Sequence, residues 1–413
     1  MQDPVGSIGD NGGERLVLEI EKVVYRGAGL ARAGGIVTFV PGTLPGERVI
    51  AETVATKKNF RTARLLEVLE PSPCRIPDVC AMPGGGIVPG CAYGFARYAD
   101  EVEIKDGQLR DFLRSFGAGQ GAVERPFASP VELGYRNKTV FHVGHAHGRP
   151  VAGYLGDDNR TIVDMASCPL SHREINGLWA EMRSETLSSH PLPRTVTLRR
   201  TEAGGAVAWT DIAPPAPALR LVEHSPVGDI LVPADGFFQV NPHVAAPLVE
   251  TVRDWVSEVA GNGGADIALD LFCGVGVFGL AVAGLGFGRV IGVETSRRAV
   301  KCARANAANL GLHTAEFHCM DASRFLAEKA GRLPMERAVA IADPPRAGMP
   351  REALDALLSS PLRHAVFVSC NPSTLARDIS AAAKAGFAIS RARLFDMFPR
   401  TIHFETAVLL ERK

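Results

Sequence analysis

Short apolar runs alternate with turns from Leu16 to Leu69: LVLEIEKVVY, GLARAGGIVTFVPG, ERVIAETVA and FRTARLLEVLE. Runs rich in Val, Ile and Thr, punctuated by Gly and Pro at this spacing, predict a small β-barrel. Pro71, Pro73, Pro77, Pro83 and Pro89 then break all periodicity. Residues 102–116 (VEIKDGQLRDFLRSF) carry apolar positions at helical spacing and predict one amphipathic helix. Between about Pro130 and Val232, strand-like runs such as KTVFHVGHA, RTVTLRR and GDILVPA dominate again. After Asn241 the rhythm changes. Strands are predicted at 266–272, 289–294, 315–319, 337–342 and 364–369 with helices between them, and a last pair lies near 388–396 and 403–411. Strand–helix alternation of this kind implies a doubly wound α/β domain with a parallel sheet. The chain thus divides into a tail and barrel over 1–73, a β-rich central domain over 74–235 and an α/β domain over 236–413, on which the 102–116 helix is expected to pack.

Composition narrows the class. The 413 residues include 45 Lys plus Arg and 45 Asp plus Glu, with 22% charged and 46% hydrophobic residues. Such a composition excludes a disordered polyelectrolyte or a collagen-like polymer. A local basic patch remains compatible with nucleic-acid binding on a neutral chain, and Lys57, Lys58, Arg61 and Arg64 make one barrel edge basic. The opening residues lack a basic stretch followed by an apolar one, so no signal peptide is expected. The uncharged run Leu271 to Gly288 is interrupted by glycines and fits strand–loop–helix better than a membrane span. Eight cysteines are too sparse for a disulfide scaffold, which points to reduced thiols in a cytoplasmic enzyme.

Four stretches carry chemistry. In ALDLFCGVGVFG, Gly274, Gly276 and Gly279 formally satisfy G-x-G-x-x-G, and Glu294 ends the next strand. This is the arrangement in which backbone approaches a nucleotide cofactor and a carboxylate holds ribose hydroxyls. By itself it does not separate NAD from S-adenosylmethionine. ADPPRAG places Asp343 at the carboxyl end of a strand, and Arg346 stands where amino-methylating enzymes carry an aromatic residue, which argues against an exocyclic amine as acceptor. In VSCNPSTLARD, Pro372 suits a first helical turn, so Cys370 lies just before a helix N-terminus, where a lowered thiol pKa is expected. Glu405 alternates with His403, Ala407 and Leu409 on one strand face, where a carboxylate has either a raised pKa, as a general base needs, or a salt-bridge partner.

FFQVNP, DLFCGVG, DPPRAG, VSCNPSTLARD and DMFPRTIHFE, in that order, resemble the RNA uracil-C5 methyltransferase family. The resemblance runs through nearly the whole chain, and the N-terminal barrel looks like the family's TRAM module, an OB-like RNA-binding β-barrel. It implies a class I, Rossmann-like methyltransferase domain. It also implies that Cys370 attacks C6 of a uracil and that Glu405 removes the C5 proton. Gln239, Phe272, Gly274, Gly276, Glu294, Asp321 and Asp343 would line the cofactor and base pocket, with S-adenosylmethionine as methyl donor. RNA is the implied partner, ribosomal RNA first and transfer RNA as the alternative, for a monomer without membrane contact. Cys74, Cys80, Cys91 and Cys168 match the four ligands of the family's [4Fe-4S] cluster, although ten residues separate Cys80 from Cys91 where relatives have two. Zinc, or no metal, stays open at that site. Outside this class stand an NAD-dependent oxidoreductase and a catalytically inactive RNA-binding protein.

Among the remaining candidates, strand spacing splits His142, His145 and His147 between two faces, which disfavours a metal site. Cys273, Cys302 and Cys319 are expected to be buried thiols. Arg136, Lys138, Arg194, Arg199 and Arg200 are expected as phosphate contacts or solvated strand edges.

Overall fold

The computed structural model describes residues 13–83, 85–201, 205–216, 219–261 and 265–413. The first strands are β1 (Arg15–Glu19), β2 (Lys22–Val23), β3 (Ala28–Ala33), β4 (Ile36–Pro41), β5 (Arg48–Thr56) and β6 (Phe60–Glu70). They form one six-stranded sheet in the order β1-β5-β6-β4-β3-β2, antiparallel except where β4 runs parallel to β6. Alternate residues of five of these strands, among them Leu18, Ala31, Val40, Val49 and Ala63, meet in one small core about which the sheet curls. Helix α1 (Tyr98–Arg114) follows the proline-rich stretch.

A second sheet has the order β11-β10-β7-β8-β9 and is built from β7 (Lys138–Ala146), β8 (Arg149–Leu155), β9 (Ile162–Asp164), β10 (Thr195–Arg200) and β11 (Ala206–Thr210). Helix α2 (Arg173–Ser188) covers it, burying Ile175 and Trp179 against Phe141 and Leu198. This helix falls inside the region where the apolar pattern suggested strands. Ile175, Leu178, Trp179 and Met182 do recur at helical spacing, but polar residues separate them and mute the signal.

A hairpin of β12 (Arg220–Ser225) and β13 (Gly228–Pro233) leads into helix α3 (Pro242–Gly261) and the third sheet. Its elements are β14 (Ile267–Leu271), α4 (Val277–Ala283), β15 (Arg289–Glu294), α5 (Arg297–Asn309), β16 (Ala315–Cys319), α6 (Ala322–Glu328), β17 (Ala338–Ala342), α7 (Arg351–Ser359), β18 (His364–Ser369), α8 (Pro372–Lys384), β19 (Phe387–Phe395) and β20 (Glu405–Arg412). The strand order is β16-β15-β14-β17-β18-β20-β19, parallel through β18 and antiparallel for the last two strands. Near-continuous apolar strands such as β14 and β17, buried along their whole length, are what a sheet covered on both faces requires. Ile267, Leu269 and Leu271 point to the layer that holds α6, α7 and α8, while Ala268 points to α3 and α4. The fold is thus the α/β, Rossmann-like class expected from the alternation, preceded by a β-rich N-terminal region.

Leu109 and Leu113 of α1 lie in the first of these layers, so the helix closes one face of the third sheet. Its polar side is buried as well. Lys105 Nζ donates to Glu101 Oε1 and Asp396 Oδ1, both at 2.7 Å, and all three side chains are fully buried. Tyr98 Oη donates to Asp396 Oδ2 at 2.8 Å, and the Arg400 amide donates to Glu101 Oε1 at 2.7 Å. These bonds tie α1 to the segment that enters β20. Among the described residues, no helix is long and apolar enough to cross a membrane.

Candidate active site

Antiparallel register builds the centre of the site. In the β18–β20 pair Ser369 faces Thr406, so one further step sets Cys370 opposite Glu405. Cys370 follows the last residue of β18 and precedes α8, whose first turn is capped by Asn371 Oδ1 accepting from the Ser373 amide at 3.1 Å, with Pro372 at the start. Asn371 Nδ2 also donates to the Arg346 carbonyl at 3.1 Å, and Thr374 Oγ1 to the same oxygen at 3.4 Å. The loop after β17 is thereby pinned beside Cys370. A Cβ on Gly348 would lie 2.5 Å from Arg377 Nη2 and 3.0 Å from Thr374 Cβ, and its φ of +77° is unfavourable for other residues, so this close approach requires glycine.

Charges at the centre are coupled. Burial, then Glu405 and Asp343, push the Cys370 thiol up to about 11, while Arg346 opposes them as a charge and a hydrogen-bond donor. The lowered pKa expected from the helix N-terminus is therefore not what the structure gives. Desolvation and two carboxyl groups outweigh the dipole of one helical turn. Glu405 is 4% exposed, and its Oε2 is buried with no hydrogen-bond partner. Burial and the neighbouring Asp343 raise its carboxyl well above the ordinary value, with Arg346 opposing. No salt bridge holds it among the described contacts, which leaves a carboxylate poised to accept a proton. Burial likewise raises Asp343, to about 7. His403 is pushed down to about 4, first by burial and then by Arg346, so its imidazole is neutral at pH 7. Arg346 and His403 complete the centre, and the residue pattern had marked neither as functional. The only sequence signal for Arg346 was its place directly after the two prolines.

A groove runs from this centre along the carboxyl ends of the strands. Phe238, Gln239, Phe272, Gly274, Val277 and Asp343 line its inner end. Phe272 directly follows β14 with φ +63°, and Gly276 continues the loop at φ +89°. A non-glycine residue held in the left-handed region marks a loop whose shape is imposed by its surroundings. The loop is fixed by carboxylates at both ends. Asp270 Oδ2 accepts from the Gly279 amide at 2.7 Å, and Glu294 Oε2 accepts from the Gly274 amide at 3.2 Å. Burial raises Asp270 to about 8. Beyond Glu294, the Met320 amide donates to the Glu294 carbonyl at 3.0 Å, which brings Asp321 alongside as the cap of α6. Gln239 Oε1 is buried without a partner. Gly274 faces open space, with nothing within 4 Å of the position of a Cβ. An orphaned acceptor, a backbone that can be approached closely and two carboxylates further along suit a cofactor that carries an amino group at one end and a ribose at the other. All nine predicted catalytic and cofactor residues thus lie along one continuous edge.

The cysteine quartet does not assemble. Cys80, Cys91 and Cys168 share one apolar cluster, with Cys80 and Cys168 close enough to Cys91 to raise its thiol together with burial. Cys74 packs elsewhere, with Leu44, Phe95 and Ala96, and its Sγ lies 3.9 Å from Arg97 Nη2. Among the described residues no group of three or more His, Cys, Asp or Glu side chains is arranged to hold a metal ion. The long spacer folds on itself, pairing Ala81 with Ile87, which joins Cys80 to Cys91 while Cys74 stays tied to Arg97. The donor set of a [4Fe-4S] cluster, or of a zinc site, does not fit as these residues stand.

Further expectations are corrected. Cys319 is exposed, because β16 is the edge strand of its sheet, whereas Cys273 and Cys302 are buried. Arg199 is buried, not a solvated strand edge. It is 1% exposed, pairs with Glu223 at 2.7 Å and donates to the carbonyls of Ala234 and Gly236. Arg194 is exposed and bonded to Asp211, and Arg200 pairs with Glu174. His142 and His145 alternate on β7, and His147 sits in the turn after it.

Comparison with known proteins agrees with this geometry. Residues 231–413 match the family model described as tRNA (Uracil-5-)-methyltransferase. A protein of Thermosynechococcus vestitus named as an uncharacterized RNA methyltransferase is 30% identical over 96% of this chain and 98% of its own. The 23S rRNA (uracil(1939)-C(5))-methyltransferase RlmD of Pseudomonas aeruginosa is 31% identical over 97% of this chain and 94% of its own. The fold matches that of the Pyrococcus abyssi tRNA (uracil-54, C5)-methyltransferase, with a TM-score of 0.70 and 24% identity over 95% of this chain and 99% of that one. Between methyl transfer and the NAD-dependent alternative, these relatives decide for the first, and the chain belongs to the RNA uracil-C5 methyltransferase family.

Proposed function

We propose that this enzyme methylates C5 of a uridine in 23S ribosomal RNA, with Cys370 as nucleophile and Glu405 as base. The observation that carries the mechanism is the β18–β20 register, which brings Cys370, one residue past β18, beside Glu405 at the start of β20. The ribosomal choice is supported by relatives from Pseudomonas aeruginosa, Marinomonas and Shewanella amazonensis, which are named 23S rRNA (uracil(1939)-C(5))-methyltransferases and are 29–31% identical over 96–97% of this chain.

C5 of a neutral uracil is a weak nucleophile. Addition of the Cys370 thiolate to C6 moves electron density onto C5 and O4, and Arg346 is the cation next to that thiolate. S-adenosylmethionine, held by Gln239, Phe272, Gly274, Gly276, Glu294, Asp321 and Asp343, supplies an electrophilic methyl group when bound. Once C5 carries the methyl, Glu405 accepts the C5 proton, the C6–S bond breaks and Cys370 returns as thiolate. Glu405 suits this step because it is buried, unpaired and raised in pKa. The target base leaves its stack to enter the site. Residues 1–73, 74–235 and 236–413 are read as three domains, the first contacting RNA through Lys57 and Lys58, which are exposed and have no carboxylate partner among the described residues.

Incubation with labelled S-adenosylmethionine and unmodified ribosomal or transfer RNA, followed by nucleoside analysis, tests the assignment. 5-Methyluridine in the ribosomal fraction alone is expected. Label confined to transfer RNA overturns the ribosomal choice, and label on another nucleoside overturns the chemistry.

A further inference from the structure

A second cleft opens close to Cys370 and shares no lining residue with the cofactor groove. It measures about 360 Å³ and is lined by Tyr25, Gln108, Phe112, Pro372, Ser373 and Phe404. Three distant parts of the chain supply its aromatic rings: the turn between β2 and β3, helix α1, and the residue before Glu405. Phe404 is buried as the floor, with Tyr25 set edge-on to it at a centroid distance of 6.1 Å, and Tyr25 and Phe112 stand half-buried as walls. Pro372 and Ser373 follow Cys370 by two and three residues, which places the cleft roughly 7 Å of chain from the nucleophile. Burial, and then a negative charge on the nearby Cys370, push the Tyr25 phenol up.

Two polar features sit at the cleft. Gln108 spends its amide hydrogens on the Val23 carbonyl and Tyr93 Oη, both at 3.1 Å, leaving Oε1 buried without a partner. Arg26, next to Tyr25, is exposed, holds a φ of +78° and has no carboxylate partner among the described residues. It shares the tight turn that carries Tyr25 into the cleft.

We propose that this cleft is a second nucleotide subsite, in which the base next to the attacked uridine inserts between Tyr25 and Phe112 while Arg26 holds the intervening phosphate. The proposal rests on the assignment of Cys370 as the nucleophile. Single-stranded RNA is recognised by splaying bases onto aromatic side chains, and a stacked base contributes about 1–3 kcal/mol. An N–H on that base satisfies Gln108 Oε1. The N-terminal sheet then takes part in substrate selection at the reacting centre.

A double-perturbation cycle with the full-length protein tests this. The probes are single-stranded nine-nucleotide RNAs with one central uridine, intact or carrying an abasic site at one position within two of it, and Kd is read by fluorescence anisotropy. Removing the base at one neighbouring position is expected to weaken binding roughly tenfold, which lies within the range for a stacked base. Tyr25→Ala is expected to weaken the intact RNA by a similar factor and the matching abasic RNA no further, while Tyr25→Phe binds like wild type. Equal loss in Tyr25→Ala for intact and all abasic RNAs overturns the subsite. Should Tyr25→Ala fail to fold, wild type alone decides, because indifference to every neighbouring abasic site also overturns it. C5 methylation of the intact RNA is scored separately. Methylation without coupling refutes the subsite alone, and coupling without methylation refutes the assigned chemistry alone.

Discussion

Lys105→Met removes the ammonium that Glu101 and Asp396 share in a place from which water is excluded. Methionine keeps the length of the lysine stem, so little cavity results and the loss is electrostatic. Two carboxyl groups that each lay 2.7 Å from the ammonium are left with weaker partners: Tyr98 Oη for Asp396, and the Arg400 amide and guanidinium for Glu101. Breaking a buried pair from one side costs about 3–5 kcal/mol. With a urea slope near the top of the range of about 1–3 kcal/mol per M, the midpoint should fall by about 1–2 M. The deficit should depend on pH with a definite sign. Stripped of Lys105, Glu101, whose carboxyl burial already raises to about 7, is raised further above its unfolded value, so the folded state holds extra protons and stability falls as pH rises through that window. Urea unfolding followed by circular dichroism at pH 5.5 and pH 8 should therefore show the larger deficit at pH 8. A loss under about 1 kcal/mol, or one equal at both pH values, would refute the view that this triad clamps α1 to the segment before Glu405.

Further outcomes follow from the same geometry. Glu405→Gln should lower kcat by about 10²–10⁴-fold with cofactor affinity retained. In wild type kcat/KM should rise with pH along a limb above the ordinary carboxylate range, because the raised Glu405 must be ionised to act, whereas a limb near pH 4 would contradict the burial argument. Gly276→Ala should cost about 1–3 kcal/mol, since φ is +89° and the new Cβ would stand 2.7 Å from Phe317 Cε1, and calorimetry should show weakened S-adenosylmethionine binding. Asp270, raised to about 8, contributes stability that is lost between its unfolded pKa of about 4 and that value. Asp270→Asn should flatten the pH dependence of the unfolding midpoint over that window.

Periodicity alone carried the third sheet. The strands predicted at 315–319 and 364–369 agree with β16 and β18 to the residue or nearly so, because both alternate cleanly with helices and end at polar caps. What periodicity could not carry is pairing between distant residues. Arg199 looked like a solvated strand cation, yet Glu223, a strand and a hairpin away, buries it. Cys370 and Glu405 could be nominated from motifs, but their adjacency depends on β20 inserting antiparallel between β18 and β19, which no local pattern encodes. The Cys370 pKa failed for a related reason. A helix N-terminus is visible in NPSTLARD, whereas the two carboxyl groups that override it arrive from β17 and β20. Cys74 shows the limit of spacing, since the turn formed within 81–90 decides which thiols meet.

The most direct test of the account is release of tritium from C5-labelled uridine in unmodified ribosomal and transfer RNA, with S-adenosylmethionine, by wild type and by Cys370→Ala. Release by wild type and none by the variant is predicted, since C5 gives up its proton only after Cys370 has added at C6. Undiminished release by Cys370→Ala, or methyl transfer by wild type without release, would contradict it.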